Sequence, residues 1–150
     1  MTDRIKQGLG GKAGNKGAVL VRFDLDNTSV VVANAHLESG DKKLAERILQ
    51  FNEIVNEGVI GSRQKKYTFK SHTVRMFMGD LNFRIDLEYD FARVAATNFS
   101  SKDKFLLQKE EQLTKIKPNE PSMYNIQEGP LNFPPTYRFD VNTDVYDTSK

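Results

Sequence analysis

Cysteine is absent from these 150 residues, and histidine occurs only twice, at His36 and His72. Disulfides and thiolate metal sites are thereby excluded. Two imidazoles are too few for a histidine-rich zinc site, so a bound metal is expected to be a hard, oxygen-liking cation such as Mg²⁺. No apolar run approaches the length of a bilayer span, and the opening MTDRIKQGLGGK lacks the apolar core of a signal peptide. The expected setting is cytoplasmic. Proline is missing before Pro118. Acids are missing from two stretches: Arg4 to Arg22 carries five basic residues and no carboxylate, and Arg63 to Arg75 carries another five.

What is present fits one globular domain with a real core, at 38% hydrophobic and 28% charged residues. A formal net charge of +2 is too small for a dedicated nucleic-acid binder. The basic tracts suit a small polyanion or an anionic membrane surface, at about 1 kcal/mol per nearby Lys or Arg. They equally suit an ordinary solvated face.

The chain is organised around Arg75 to Ile85, RMFMGDLNFRI. Met76, Phe77 and Met78 read as a buried strand, and Gly79 lets the backbone turn or a ligand approach closely. Asp80 and Asn82 then follow at the strand's end, where open α/β architectures place their sites. If the segment stays extended, the two share a face. A carboxylate there can hold a metal or orient a water, and a carboxamide can donate to an oxyanion. The same four residues, Gly-Asp-Leu-Asn, also fit a turn whose Asp and Asn bond their own backbone.

Half of the ten glycines lie in the first 17 residues. GLGGKAGNKGA therefore reads as a flexible loop of exposed N–H groups, with Lys12 and Lys16 adding charge. Such loops cradle phosphate, although GxxxxGK[ST] is absent and a plain connector is an equal reading. AVLVRF (18–23) and SVVVANAHL (29–37) flank the turn-prone Asp26-Asn27, which predicts an antiparallel hairpin. The second run ends in Asn34, Ala35 and His36, polar groups at the tip of an apolar strand, so His36 and Asp80 meet over one cleft if the strands are neighbours. Residues 41–58 form an amphipathic helix with Leu44, Ile48, Phe51 and Val55 on its apolar face and Gln50 among its polar residues, ended by Gly58. Further helices are expected over 87–98 and 102–115. From Pro118 the texture is irregular, a binding-loop pattern in which Tyr137 and Arg138 offer an aromatic body beside a fixed cation.

Four stretches, in order, resemble the inositol polyphosphate 5-phosphatases of the deoxyribonuclease-I-like endonuclease/exonuclease/phosphatase superfamily. They are GLGGKAGNKGAVLVRF, ANAHL with the Glu46-Arg47 helix, RMFMGDLNFRID, and EGPLNFPPTYRFDVNTDVYDTSK. The resemblance implies a four-layer α/β/β/α sandwich, of which residues 1–150 would be the central part and which would be incomplete at both ends. It implies Mg²⁺-dependent removal of the 5-phosphate from phosphoinositides or soluble inositol polyphosphates, at the cytosolic face of membranes, with no nucleic-acid partner. By motif position, Asp80 would orient or deprotonate the attacking water, Asn82 would contact the metal-bound phosphate, and His36 would stabilise charge on the phosphoryl oxygens. Lys16, Arg84, Tyr137 and Arg138 would bind substrate, with Asn34 in support. Arg138 stands where the family more often has Lys, which keeps charge and changes geometry.

The resemblance also implies absences. The family's metal-binding Glu would lie upstream of the glycine loop, and a Pro-Ala/Ser-Trp-Cys-Asp-Arg signature would follow Lys150. These 150 residues alone are thus expected to turn over little or no substrate. A metal phosphodiesterase of nuclease type, or a non-catalytic interaction module, would be the competing readings.

Overall fold

Asp26 and Asn27 close the hairpin that the sequence predicts. In the computed structural model, which describes residues 2–8, 13–57, 59–61 and 65–149, strands β2 (Ala13–Leu25) and β3 (Thr28–His36) pair antiparallel from Leu25↔Thr28 to Gly17↔His36. Asp26 sits in the left-handed region at φ 49°, which Asp tolerates better than most residues. Part of the expected glycine loop is strand instead. β1 (Thr2–Gly8) pairs with β2 from Thr2↔Val21 to Gly8↔Ala13. At Gly17 a Cβ would overlap the Ile5 carbonyl, so this glycine serves close strand approach rather than looseness. Residues 9–12, including Lys12, lie outside the described residues, as do Gly58 and Arg63.

The chain divides at Phe83/Arg84 into two units. In the first, the sheet order is β1-β2-β3-β6, where β6 is Val74–Asp80. β6 runs parallel to β3, from Val30↔Val74 to His36↔Asp80. A parallel neighbour requires a crossover, and helix α1 (Leu44–Glu57) lies within it. Two short strands, β4 (Val59–Gly61) and β5 (Lys66–Thr68), make a separate antiparallel pair. α1 covers one face of the large sheet. Leu20, Val31, Ala33 and Ala35 are buried there with Phe51, Ile54 and Val55, and Phe77 packs at 4.5 Å between ring centroids on Phe51.

Three expectations are corrected here. β6 is not buried on both sides, because only Phe77 turns toward α1; Met76 and Met78 are each 47% exposed, on the face where Val19, Val21 and Phe23 are also exposed. Gly79 does not turn the chain. At φ 124° it keeps β6 in register, and a Cβ would overlap the Ala35 carbonyl. The inner face of α1 is also rotated from the expected one: Arg47 and Gln50 are buried with Phe51, Ile54 and Val55, while Ile48 is only half-buried.

The second unit begins at Arg84. Helix α2 (Tyr89–Asn98) ends at Phe99 in the left-handed region, and α3 (Ser101–Glu110) starts from a reciprocal Ser100/Asp103 capping box. The single helix expected over 102–115 is two. Glu111 is extended, bridges to Ile85, and uses both carboxylate oxygens to cap α4 (Gln112–Ile116). Past Pro118 the chain is irregular as expected. Within it, Phe139 and Tyr146 form an antiparallel bridge and stack their rings at 4.5 Å.

Candidate functional site at the ends of two parallel strands

Parallel pairing puts the C-terminal ends of β3 and β6 side by side, which brings His36 and Asp80 into direct register. Partners across neighbouring strands project from the same face. One row across the sheet therefore reads Lys6, Gly17, His36, Asp80, and the next reads Arg4, Val19, Asn34, Met78. Gly17 raises no side chain. An open groove of about 520 Å³ lies over these rows, lined by Arg4, Lys6, Lys16, Asn34, His36 and Asp80 among others. It holds three cationic side chains and one carboxylate, which favours an anionic occupant.

Lys16 Nζ lies 2.7 Å from His36 Nε2, and Asp80 Oδ2 lies 3.6 Å from the same nitrogen. One ring nitrogen cannot accept from the ammonium and donate to the carboxylate at once. The shorter contact decides the assignment: Nε2 accepts from Lys16, the ring proton sits on Nδ1, and the His36–Asp80 approach is not a hydrogen bond. Lys16 is thus a groove cation whose ammonium rests on His36. The His36 and Asp80 side chains are 52% and 67% exposed, so solvent screens them and a ligand can reach them.

Beyond Asp80 the strand stops. Asn82 has φ 56°, so Asp80 and Asn82 do not share a strand face as an extended segment would require. The Asn82 N–H donates to Asp80 Oδ1 at 3.2 Å, the Asp-centred turn that Gly-Asp-Leu-Asn also allows. The side chain turns back to β3, and Nδ2 donates to the Leu37 carbonyl at 2.9 Å. Leu37 N–H in turn donates to Asp80 O at 3.0 Å. The amide nitrogen is committed to the scaffold, and this fixes where the amide oxygen points.

Five expected residues, Lys16, Asn34, His36, Asp80 and Asn82, thus come together in the first unit. Arg84, Tyr137 and Arg138 belong to the second. There Tyr137 is 80% exposed, and Arg138 Nε pairs with Asp147 Oδ2 at 3.0 Å. Arg4 and Lys6 are groove residues that motif reading missed. Their signal was the acid-free basic tract, whose period-two spacing on β1 puts both on one face.

Among the described residues no three His, Cys, Asp or Glu side chains gather to hold a metal. The groove's anionic donors reduce to Asp80, one oxygen of which already accepts the Asn82 N–H. Mg²⁺ demands near-octahedral oxygen coordination. These residues by themselves do not make such a site.

Residues 1–150 match the sequence profile of Endonuclease/Exonuclease/phosphatase family 2 over their whole length. The chain belongs to that family. As a family-2 sequence it is similar to synaptojanin-2 of Rattus norvegicus, at 36% identity over 149 residues, covering 98% of this chain and 9% of that protein. It is equally similar to inositol-1,4,5-trisphosphate 5-phosphatase 1 of Schizosaccharomyces pombe, at 36% identity over 144 residues, covering 96% of this chain and 13% of that one. The inositol polyphosphate 5-phosphatase domain of SPsynaptojanin, solved with inositol (1,4)-bisphosphate and calcium ion, superposes with a TM-score of 0.78 at 33% identity. That match covers 99% of this chain and 41% of the solved one. The mixed α/β fold is therefore that of the family's deoxyribonuclease-I-like domain, and this chain spans less than half of the solved example.

Proposed function

We propose that the full-length protein is a phosphoinositide or inositol polyphosphate 5-phosphatase. The observation that carries the reading is the convergence of Lys16, His36 and Asp80 in a groove that Arg4 and Lys6 also line, with Asn82 bonded to Asp80 and to Leu37 beside it. Similarity to enzymes named for that activity supports it.

In this reading Asp80 accepts a proton from the attacking water as the new P–O bond forms and the bond to the inositol oxygen breaks. The departing alkoxide takes its proton from solvent. Lys16, resting on His36, holds phosphoryl oxygens; once Lys16 has moved to the anion, the freed His36 Nε2 takes up the ring proton and donates to a phosphoryl oxygen. Asn82 is held by Leu37 and offers its oxygen to the phosphate's surroundings, with Asn34 in support. Within the second unit, Arg84, Tyr137 and Arg138 are proposed to contact substrate. Positioning and charge complementarity suffice as the protein's part in phosphoryl transfer. Mg²⁺ is the proposed cofactor of the full-length protein; the groove's own donors do not make its site, and the residue roles above are those of the protein's side chains alone. A cytoplasmic setting peripheral to membranes is part of this proposal, and the cationic groove supports it.

The test measures phosphate release by the full-length protein from inositol 1,4,5-trisphosphate in solution and from vesicles containing phosphatidylinositol 4,5-bisphosphate, with Mg²⁺ and with chelator. Release is expected with Mg²⁺ only, and Asp80→Asn is expected to lower it about 10²- to 10⁴-fold. Unchanged turnover in that variant removes Asp80 from its role. Release from the soluble substrate alone removes the membrane setting.

A further inference from the structure

Arg47 heads the fully buried side chains among the described residues, at 0% exposure, and the proposed hydrolysis makes no use of it. Taking a guanidinium out of water is costly unless its donors are satisfied. Its contacts reach both segments that carry the site. Nη1 donates to Gly40 O at 2.7 Å and to Glu38 O at 3.1 Å, just after His36 and Leu37. The guanidinium carbon lies 5.8 Å from the ring centroid of Phe83, the residue after Asn82, within cation–π range. Gln50, on the same helix face, accepts the Glu38 N–H at 2.7 Å. The bond from Asn82 Nδ2 to Leu37 O joins the same two segments.

We propose that Arg47 is a positioning residue of the groove. It clamps residues 37–40 to residues 82–83, so that the Leu37 carbonyl holds the Asn82 carboxamide in one orientation and the Asp80–Asn82 turn with it. The catalytic consequence rests on the hydrolysis proposed above; the structural consequence does not. Arginine suits the task for a geometric reason. Its planar group can bridge two carbonyls while its face lies toward a ring, whereas a lysine ammonium is a compact point charge that cannot do both. Arg47→Lys therefore keeps the charge and loses the clamp.

The experiment compares wild type, Arg47→Lys and Phe83→Leu. Turnover is measured on full-length protein with inositol 1,4,5-trisphosphate, thermal unfolding confirms folding, and the Asn82 side-chain amide resonance is followed by nitrogen-15 NMR, assigned by its loss in Asn82→Ala. In folded Arg47→Lys, kcat is expected to fall about 10²-fold with KM little changed, as for a misplacement of about 1 Å. The Asn82 resonance is expected to shift and exchange faster with water. Phe83→Leu should move both readouts in the same direction by less, and it carries the test if Arg47→Lys does not fold. An unmoved Asn82 resonance in the folded variants overturns the proposal. If wild type releases no phosphate, the hydrolysis reading falls, and the Asn82 resonance still decides the role of Arg47.

Discussion

The loop after β3 and the segment that opens the second unit are both held by a polar side chain that a helix buries, and the two holders differ in charge. Arg47 donates to the carbonyls of Glu38 and Gly40. Gln112 exchanges two bonds with the Arg84 backbone: Arg84 N–H donates to its Oε1 at 3.0 Å, and its own N–H donates to Arg84 O at 2.9 Å. Its Nε2 also donates to Asp86 Oδ1 at 2.8 Å. The loop at 38–40 offers acceptors to Arg47, and a guanidinium is donor-only. At 84–86 the side chain meets a backbone donor, the Arg84 N–H, and a side-chain acceptor, the Asp86 carboxylate, and a neutral amide serves both kinds at lower desolvation cost. The groups each segment presents select the holder.

Stability measurements test this contrast, beginning with the charged holder. Arg47→Met removes a buried charged donor and strands two carbonyls, so urea denaturation should show a loss of about 3–5 kcal/mol. A loss under about 1 kcal/mol would mean that the loop finds water instead, and the contrast would fail. Gln112→Leu should cost less, about 1–3 kcal/mol, because only neutral or singly charged hydrogen bonds are lost. A larger loss here than for Arg47→Met would reverse the ranking.

The smallest effect sits on the surface beside Gln112. Lys115 lies 2.6 Å from Glu110 and 3.2 Å from Asp86, and the hydrogen bond to Glu110, followed by that to Asp86, holds its pKa above the ordinary 10.5. A folded-state pKa above the unfolded one stabilises the protein below 10.5, and that stabilisation vanishes as pH rises through the folded value. Lys115→Met should therefore be slightly less stable than wild type near neutral pH, with the gap closing in strong alkali. Salt should shrink the gap, because Lys115 and Asp86 are exposed and Glu110 is only half-buried. A gap that does not depend on pH would show that packing, and not charge, is the cause. Since Asp86 serves both Gln112 and Lys115, the two substitutions should not add independently.

The hairpin, the three helical regions and the irregular proline-rich segment were legible because each rests on local rules: alternation, helical period and turn residues. The helix break at Glu111 was not. It depends on a backbone bridge to Ile85, distant in sequence, which outweighs a continuous helical pattern. Gln50 was misplaced, and Arg47 given no place on the helix, for a related reason. Period analysis sends polar side chains to solvent, and only a loop with unpaired carbonyls and N–H groups draws them inward. The Asn82 turn was one of two conformations the residues permit, and the Leu37 carbonyl selects it.

By itself the sequence determined which chemistry is available: no thiols, two imidazoles, an acid and an amide at a strand tip, and an acid-free run of cations. It also marked the family, to which relatives at 33–36% identity are similar. Only the tertiary structure decided that β3 and β6 run parallel, which brings His36 level with Asp80, and that β1 and β2 pair in the register that sets Lys6 and Arg4 on the same sheet face as His36. Strand direction and register are properties of pairing between distant segments, with no local residue pattern to announce them, so the site came into being with the sheet.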